Sequence, residues 1–398
     1  MFALWGFAVA IAYVPTIYSA PFMPRWWALA IGIGCISRLD LRDVAEPLVW
    51  CLGLVVLWSG LTLLWSPALF GGALLVGFLV LFVLILMASA SAGQDDRNDA
   101  FSGFALGILL SAGIALAQKY GHIKGIIQSG DNMPVGLFFN QEVFAETAAP
   151  IVVWCLLQDN NAQRFIGAVI ATAVMCTSEH VAIFAIVVGL AYGVIRNPKI
   201  LLGFVALAFI GGFLSLFLKV FDSNERILLW ATAIRSITFF GRGIGWWYQA
   251  HPFGREEYVH SDALQAMVES GVAGVALCLV PCLALFRGRG TRPERAVLVV
   301  CILEFVFSFP LHMPATTFVF AVAAGAVACR RADVYIPGLQ GRAASGFGLG
   351  STTAYAASLF GRWRWRGALV STRSAYPQYP GLAGQDGGTS GTSEMKVA

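Results

Sequence analysis

The sequence predicts an all-α polytopic integral membrane protein, that is, a helical chain that crosses the bilayer many times. Of its 398 residues, 58% are hydrophobic and only 12% are charged, and the mean hydropathy is +0.73. A soluble domain carries about a quarter charged residues, so this composition does not fit a globule surrounded by water. The apolar stretches are continuous rather than alternating, which favours helices over the strands of a barrel.

Apolar segments recur along the whole chain, and a helix needs about twenty such residues to cross the hydrocarbon. About twelve segments reach or approach this length, and we expect each to be a transmembrane helix. They are Phe2–Ala20, Trp26–Ser37, Ala45–Trp65, Ala68–Ala90, Phe101–Tyr120, Val143–Leu157, Phe165–Thr177, His180–Ile195, Ile200–Val220, Ala263–Phe286, Ala296–Phe309 and Pro314–Cys329. The first segment has no basic residues ahead of it, so we expect a retained span rather than a cleaved signal peptide.

Arginine and lysine in the short connections predict the orientation, because these residues gather on the cytoplasmic side of membrane proteins. With twelve spans and a cytoplasmic N-terminus, every basic short connection falls on the cytoplasmic side. These connections carry Arg38, Arg42, Arg97, Arg164, Arg196, Lys199, Arg287, Arg289, Arg292, Arg295, Arg330 and Arg331. We therefore expect both termini to be cytoplasmic and the long Ser223–Val259 connection to face outward.

The apolar segments and the composition of the C-terminal part divide the chain into two regions. Residues 1–331 form the predicted transmembrane helical domain, which includes one large outward loop at residues 223–260. Residues 332–398 are rich in Gly, Ser, Ala and Thr and predict a cytoplasmic, largely disordered tail. Within this tail, Arg362–Arg366 alternates arginine with tryptophan, which fits either a membrane-surface anchor or a flexible segment with a sticky patch.

Charge and cysteine content argue against several kinds of site. The formal net charge is +4, and no basic run of the kind that binds nucleic acid is present. The eight cysteines form no Cys-x-x-Cys pair, so neither a disulfide framework nor a zinc site is indicated. His251, His260 and Asp262 match no zinc spacing either. We therefore expect neither a metal nor a cofactor.

The outward Ser223–Val259 connection is the chemically richest part of the chain. It carries Arg226, Arg235, Arg242 and Arg255, although arginine is normally scarce on the outer side. Long polar loops on a rigid scaffold often carry function, since connections without a task stay short. We therefore expect the functional site in this loop.

The first part of the loop predicts a helix at the membrane surface. Ile227–Phe240 has apolar residues at helical spacing and contains Trp230 and Arg235, both of which we expect to contribute to substrate binding. Its arginines resist insertion, so we expect it to lie along the outer interface and to hold Arg226 near the lipid headgroups. A guanidinium donates two hydrogen bonds to phosphate oxygens, so Arg226 either binds a lipid-borne phosphate or anchors the helix.

A glycine-rich segment follows, in which Gly241, Gly243 and Gly245 occupy alternate positions. No strand–turn–helix unit surrounds them, so they are not a dinucleotide-binding motif, and a tight backbone turn is the simpler interpretation. The aromatic residues 246–248 suit either the interfacial aromatic belt or a surface on which a ring-shaped ligand stacks.

His260 stands at the outer mouth of the tenth predicted span. Ser261 or Asp262 can cap that helix, with Gln265 completing a capping box. Asp262, Gln265 and Glu269 share one helix face, and Glu269 would lie about two turns into the membrane, where a carboxylate suggests a functional site. The imidazole of His260 could take a proton from a hydroxyl group, although a structural role is as compatible with a single histidine.

Several segments match a known set of motifs in the same order. They are GLFFNQEVFAETAAP (Phe-x-Asn…Phe-Ala), SNERILLW (Arg-x-x-x-Trp), GRGIGWW (a glycine-rich turn), HSDALQAMVESGVAGVAL (His-Asn/Ser-x-x-Leu-Gln…Glu-x-Gly-x-x-Gly) and FSFPLHMPA (a proline-containing last hairpin). Over roughly Pro134 to Cys329, the chain thereby resembles the O-antigen ligase and O-antigen polymerase superfamily of bacterial membrane glycosyltransferases. The His–Glu–Gly motif is moderately specific, and the other motifs are weak individually.

This resemblance implies a GT-C-like fold in the bacterial inner membrane and a metal-independent enzyme. Such enzymes move a glycan from an undecaprenyl-pyrophosphate carrier to an acceptor at the periplasmic face. The acceptor is lipid A–core in the ligases of lipopolysaccharide biosynthesis, or a carrier-linked repeat in the polymerases of O-antigen and exopolysaccharide.

The resemblance also implies roles for individual residues. Arg226 would engage the donor pyrophosphate, His260 would be the catalytic base, and Asn140 would face the same outer cavity. For such a transferase we further expect Arg242 to help Arg226, and Glu269 to orient His260 or neighbouring groups. The partners would be the lipid-linked oligosaccharide, its acceptor and the lipid bilayer, without nucleic acid.

One departure from the motif set leaves alternatives open. The chain has Ser178, Glu179 and His180 where the family usually shows Ser-Arg. The missing arginine is compatible with an altered donor, with compensation by Arg235 or Arg242, or with lost activity in an accessory subunit. A lipid-linked glycan transporter is a further alternative, disfavoured because the charge is concentrated in one loop and no internal repeat is visible.

Overall fold

The structure is a computed structural model, and every secondary-structure element in the part of the chain that it describes is a helix. That part comprises residues 1–13, 23–35, 46–121, 133–138, 140–197, 199–200, 203, 224–250, 259–286 and 290–329. In chain order the helices are α1 (Phe2–Ile11), α2 (Met23–Cys35), α3 (Glu46–Thr62), α4 (Leu69–Ser91), α5 (Gln94–Tyr120), α6 (Gln141–Leu156), α7 (Asn161–Thr177), α8 (His180–Val194), α9 (Asn224–Ser236), α10 (Trp246–Ala250), α11 (Asp262–Phe286), α12 (Arg292–Phe307) and α13 (Pro314–Ala328). A short 3-10 helix, Pro310–His312, joins α12 to α13.

The all-α class predicted from the apolar runs is confirmed, because every predicted segment except Ile200–Val220 overlaps a helix. The helix within Phe2–Ala20 ends at Ile11, and residues 14–20 lie outside the described part of the chain. Ile200–Val220 lies almost entirely outside the described residues, as does the predicted tail at 332–398. In the described ranges, α4 and α5 are both long and apolar enough to cross a membrane, whereas α1, α8 and α13 are apolar but shorter. Twelve spans and a periplasmic loop therefore remain predictions.

Helices α1 and α5 lie side by side at a distance that only small residues permit. A Cβ atom on Gly103 would overlap the carbonyl of Ala3, and one on Gly107 would overlap the methyl group of Ala10. Small residues of this kind allow backbones to approach where lipid supplies no hydrophobic driving force. Because the contacts advance in the same direction along both helices, α1 and α5 run parallel.

A buried ion pair holds one end of the helix bundle together. The Nε of Arg97, near the start of α5, lies 3.2 Å from Oε1 of Glu294 at the start of α12. Glu294 also forms a capping box with Thr291. Arg292 donates a hydrogen bond of 2.8 Å to the carbonyl of Ile195, just beyond α8. These basic connections therefore share one end of the bundle, and the turn between α12 and α13 lies at the other.

Helices α6 and α13 are buried along almost their whole length and form the centre of the bundle. The ring of Trp154 in α6 stacks on Phe101 in α5, with 5.3 Å between centroids. The hydroxyl groups of Thr147 and Thr316 are hydrogen-bonded to each other at 2.9 Å and join α6 to α13. Helices that are apolar on all sides are expected at the centre of a bundle. Here they support the turn that carries His312.

Candidate functional site

The site is built around a break in α11. At Gly271 the backbone adopts φ 74° and ψ 178°, which interrupts the helical hydrogen bonds. Backbone groups that lose their partners in a buried helix must find others. A loop at residues 238–243 supplies them. The four hydrogen bonds are Arg242 N to Val268 O (2.8 Å), Gly243 N to Glu269 O (2.9 Å), Val272 N to Thr238 O (3.3 Å) and Ala273 N to Phe239 O (3.1 Å).

Glycine is required on both sides of this contact. Gly241, Gly243 and Gly245 have φ values of 80°, 96° and 82°, so the predicted tight turn is confirmed. A Cβ atom on Gly241 would overlap the carbonyl of Glu269, and one on Gly271 would overlap the backbone of the loop. The loop and the break therefore fit each other only because neither carries side chains at these positions.

The side chain of Glu269 strengthens the same junction. It is 5% exposed, and its Oε1 accepts hydrogen bonds from the backbone N–H of Trp247 and from Nε2 of Gln265, both at 3.3 Å. Asp262 lies two turns earlier, and all three of Asp262, Gln265 and Glu269 line one cavity. Their predicted common face on the helix is thus confirmed.

Asp262 and His312 form a close pair at the mouth of this helix. The imidazole Nδ1 lies 2.6 Å from Oδ1 of Asp262, and Oδ2 accepts a hydrogen bond of 2.7 Å from the N–H of Leu311. The N–H of Asp262 in turn donates to the carbonyl of Ser308 at 2.7 Å. The carboxylate is therefore fixed by backbone groups, and the other ring nitrogen, Nε2, lies 3.4 Å from Nε2 of Gln265.

This environment changes the proton affinity of His312, which lies in the connection between α12 and α13. Burial alone would lower its pKa, but the Asp262 carboxylate and its hydrogen bond, together with Glu269, raise the pKa above the ordinary histidine value overall. A carboxylate can only accept a hydrogen bond, so the pairing requires the proton on Nδ1. In the neutral ring, Nε2 is then the basic atom.

A cavity of about 160 Å³ lies against this pair, between α3, α4, α11 and the α12–α13 turn. Its polar wall includes Asp262, Gln265, Glu269 and His312. Its other wall is apolar and is formed by Val55, Leu75, Phe78, Leu79, Phe82, Ile244, Phe305 and Leu311. A cavity with these two walls suits a ligand that combines hydrogen-bonding groups with hydrocarbon.

His260, the predicted base, is not among the residues that line this cavity. Its backbone adopts a left-handed φ of 54°, which histidine tolerates better than most residues. Its Nδ1 lies 4.0 Å from Oε1 of Glu142, and its ring meets Phe309 edge-on, with 5.1 Å between centroids. His260 thus faces α6, and the carboxylate next to it is Glu142 rather than Glu269. Its catalytic role stays a prediction.

Trp230 positions the residue that precedes His260. The indole Nε1 donates a hydrogen bond of 3.1 Å to the carbonyl of Val259, whose N–H donates to Oε1 of Gln265 at 3.4 Å. Trp230 also packs against a small apolar cluster that joins α9 to α11. The structure therefore gives Trp230 a supporting contact, and its predicted role in substrate binding stays untested.

The predicted arginines are spread over α9 and the glycine-rich loop. Arg226 is the third residue of α9, and its side chain lies outside the described part of the chain. Arg235 is exposed in the last turn of α9.

Arg242 in the glycine-rich loop is exposed. Its Nε donates a hydrogen bond of 3.3 Å to the carbonyl of Ser236, and its guanidinium carbon lies 5.6 Å from the ring centre of Trp246. It caps the end of α9, where a cation is favourable. His251 and Arg255 lie outside the described residues.

Asn140 is a helix cap. Its Oδ1 accepts a hydrogen bond of 2.8 Å from the N–H of Glu142 at the start of α6. The next residue, Gln141, donates to Oε1 of Glu179 at 3.1 Å and links the starts of α6 and α8. At the departure from the motif set, Ser178 ends α7 with φ 60°, and Glu179 therefore serves a contact between helices.

Three further ionisable groups were missed in the sequence. His312 lies in the segment FSFPLHMPA. A titratable side chain between two apolar runs could have indicated a functional residue there. Glu146 and Glu304 are 1% and 0% exposed inside α6 and α12, and they are near enough to influence each other electrostatically. Carboxyl groups are rare within apolar helices, so Glu146 and Glu304 could have been identified from the sequence as candidate functional residues.

Over the described residues, these observations define the class as an all-α protein with two helices long and apolar enough to cross a membrane, α4 and α5, and an amphipathic cavity at the mouth of α11. Comparison with models of known protein families finds no match, and comparison with curated proteins finds none either. Function must therefore be inferred from the cavity, its side chains and the sequence motifs.

Proposed function

We propose that the protein is a membrane glycosyltransferase that moves a glycan from an undecaprenyl-pyrophosphate carrier to a hydroxyl acceptor. The observation that carries this proposal is the cavity in which Asp262, Gln265, Glu269 and His312 face an apolar wall. A lipid-linked sugar has the same two parts, hydroxyl groups and a hydrocarbon chain. The motifs that resemble the O-antigen ligase and polymerase superfamily include these residues, which supports the same assignment.

The proposed location is the bacterial inner membrane, with both termini in the cytoplasm. The connections that carry Arg97 and Arg292 meet at one end of the bundle. Asp262 and the α12–α13 turn lie at the opposite end, because α12 begins beside Arg97 and ends before the turn. If the basic end faces the cytoplasm, as the rule for short loops predicts, the cavity opens toward the periplasm.

The proposed chemistry needs neither a metal nor a cofactor. A lipid pyrophosphate is a good leaving group, so holding its charge and placing the acceptor hydroxyl supply most of the rate. Arg226 and Arg242 are proposed to hold the diphosphate. An imidazole near the start of α11 is proposed to take the hydroxyl proton. The acceptor is lipid A–core or a growing polysaccharide.

The test uses the full chain in proteoliposomes with undecaprenyl-pyrophosphate-linked glycan extracted from the bacterium that encodes it. We expect glycan to appear on added lipid A–core or on a second carrier-linked glycan, with release of undecaprenyl pyrophosphate, and with no loss of rate in a metal chelator. Movement of glycan across the vesicle membrane without a new glycosidic bond would instead identify a transporter. No product with either acceptor would favour an inactive accessory subunit.

A further inference from the structure

The two imidazoles at the mouth of α11 differ in what they can reach. His312 lines the cavity, whereas His260 points toward Glu142 on α6. A general base must lie within hydrogen-bond reach of the proton that it removes. A hydroxyl group in the cavity can therefore reach the ring of His312.

The two imidazoles also differ in how they are held. Asp262 binds Nδ1 of His312 at 2.6 Å and is itself held by the N–H of Leu311. Such a carboxylate fixes the tautomer of the ring and stabilises the imidazolium that forms when Nε2 takes a proton. The carboxylate beside His260 is that of Glu142 on α6, and neither of these two residues lines the cavity.

Gln265 occupies the position in front of the basic nitrogen. Its Nε2 lies 3.4 Å from Nε2 of His312 and 3.3 Å from Oε1 of Glu269. Both contacts are long for hydrogen bonds, so an entering hydroxyl group can displace the one to His312 at little cost. Asp262 and Glu269 are the charged groups that face His312 from α11. The described cavity walls from α3 and α4 add only apolar side chains and Ser59.

From this geometry we infer that His312, oriented by Asp262, is the proton acceptor of the transfer reaction, in place of His260. The inference rests on the proposed function. In the step, the acceptor oxygen forms a bond to the anomeric carbon, and the bond from that carbon to the diphosphate oxygen breaks. The electron pair leaves with the lipid diphosphate, and the hydroxyl proton moves to Nε2 of His312.

The experiment measures kcat/KM against pH for the full chain in the same proteoliposomes. In the wild type, the rate should fall at acidic pH as His312 becomes protonated. His312→Gln should lower kcat/KM about a hundred- to ten-thousand-fold at neutral pH. The remaining rate should no longer decrease at acidic pH. Asp262→Asn should lower the rate and move the fall to lower pH, because the carboxylate that favours the protonated ring is gone. His260→Gln should keep the fall at the wild-type pH, whatever its rate.

A chemical rescue protects the test against misfolded variants. His312→Ala should regain part of its rate when imidazole is added, whereas a merely unfolded variant would not respond. The matched control is His180→Gln, an exposed histidine at the start of α8, which should keep the wild-type rate and pH profile.

Three outcomes are decisive. If His260→Gln removes the acidic fall while His312→Gln stays within a few-fold of the wild type, the assignment to His312 is wrong and the transferase stands. If His312→Ala melts as cooperatively as the wild type but is inactive, and imidazole does not restore it, a base role is also refuted. If the wild type transfers no glycan at any pH, the proposed function fails, and the inference fails with it.

Discussion

The imidazole of His312 and the carboxylate of Asp262 meet at 2.6 Å, from Nδ1 to Oδ1, although the two residues are 50 positions apart in the chain. Asp262 begins α11, and His312 ends the 3-10 helix between α12 and α13. Their contact ties the mouth of one helix to the turn of the neighbouring hairpin. It also gives the cavity the charged part of its wall.

The stability of the protein should depend on pH through this pair. Burial is the largest single effect and lowers the pKa of His312, but the charge and hydrogen bond of Asp262, together with Glu269, raise it overall. A raised pKa contributes stability that is complete below the unfolded value and is lost as pH rises through the folded value. We expect detergent-solubilised wild type to melt above His312→Gln at mildly acidic pH, with the difference shrinking as pH rises. A difference that does not change with pH would contradict this; His180→Gln is the control.

The glycine-rich loop should not tolerate a side chain at its contact with α11. Gly241→Ala places a methyl group against the carbonyl of Glu269, at a residue with φ 80°. We expect a loss of about 2 kcal/mol or more in stability, since both strain and overlap oppose the change. The matched control is Gly77→Ala in α4, where a Cβ meets nothing within 4 Å. Thermal melts that rank the two variants equally would show that the loop can move away.

The buried pair at the basic end should be costly to break from one side. Arg97→Ala leaves the Glu294 carboxylate buried, and we expect a loss of about 3–5 kcal/mol. The control is Arg164→Ala, which removes an exposed pair with Asp159 at 3.4 Å and should cost no more than about 1 kcal/mol. Denaturation in detergent measures both. Equal losses would mean that the Arg97–Glu294 contact carries little of the stability of this end.

Topology can be tested with single cysteines in a cysteine-free background. Tyr248 is exposed in α10 near the cavity, and Lys199 is exposed in a connection predicted to be basic and cytoplasmic. We expect an impermeant maleimide to label Tyr248→Cys in intact cells and Lys199→Cys only after permeabilisation, because positive charge stays inside. The reverse pattern would invert the proposed orientation.

Arg226 should act through the geometry of its guanidinium. Arg226→Ala is expected to weaken use of the lipid-linked donor, measured as a raised KM or lowered kcat in the proteoliposome assay. Arg226→Lys should restore only part of the activity, since lysine keeps the charge but loses the two-pronged donor. Arg235→Lys on the same helix provides a comparison. If Lys and Arg are equivalent at both positions, a headgroup anchor explains them better than diphosphate binding.

The helices could be predicted because lipid leaves the backbone few choices, so the predicted apolar run Ala68–Ala90 is the helix Leu69–Ser91 to within one residue at each end. The common face of Asp262, Gln265 and Glu269 also followed from helical spacing alone. The pairing of Asp262 with His312 could not, because it depends on how α11 and the α12–α13 turn pack. The position of His260 likewise depends on a single left-handed φ that no sequence pattern indicates.

The broken helix has a consequence for how the protein is assembled. Four backbone hydrogen bonds at Gly271 come from residues 238–243, which precede α11 in the chain. These donors and acceptors therefore leave the ribosome before the helix that needs them, and N-terminal parts of a chain fold first. If the loop were moved to follow α11, the newly made helix would enter the bilayer with its break unsatisfied. Chain order at this point thus makes the partners of the break available by the time α11 is made.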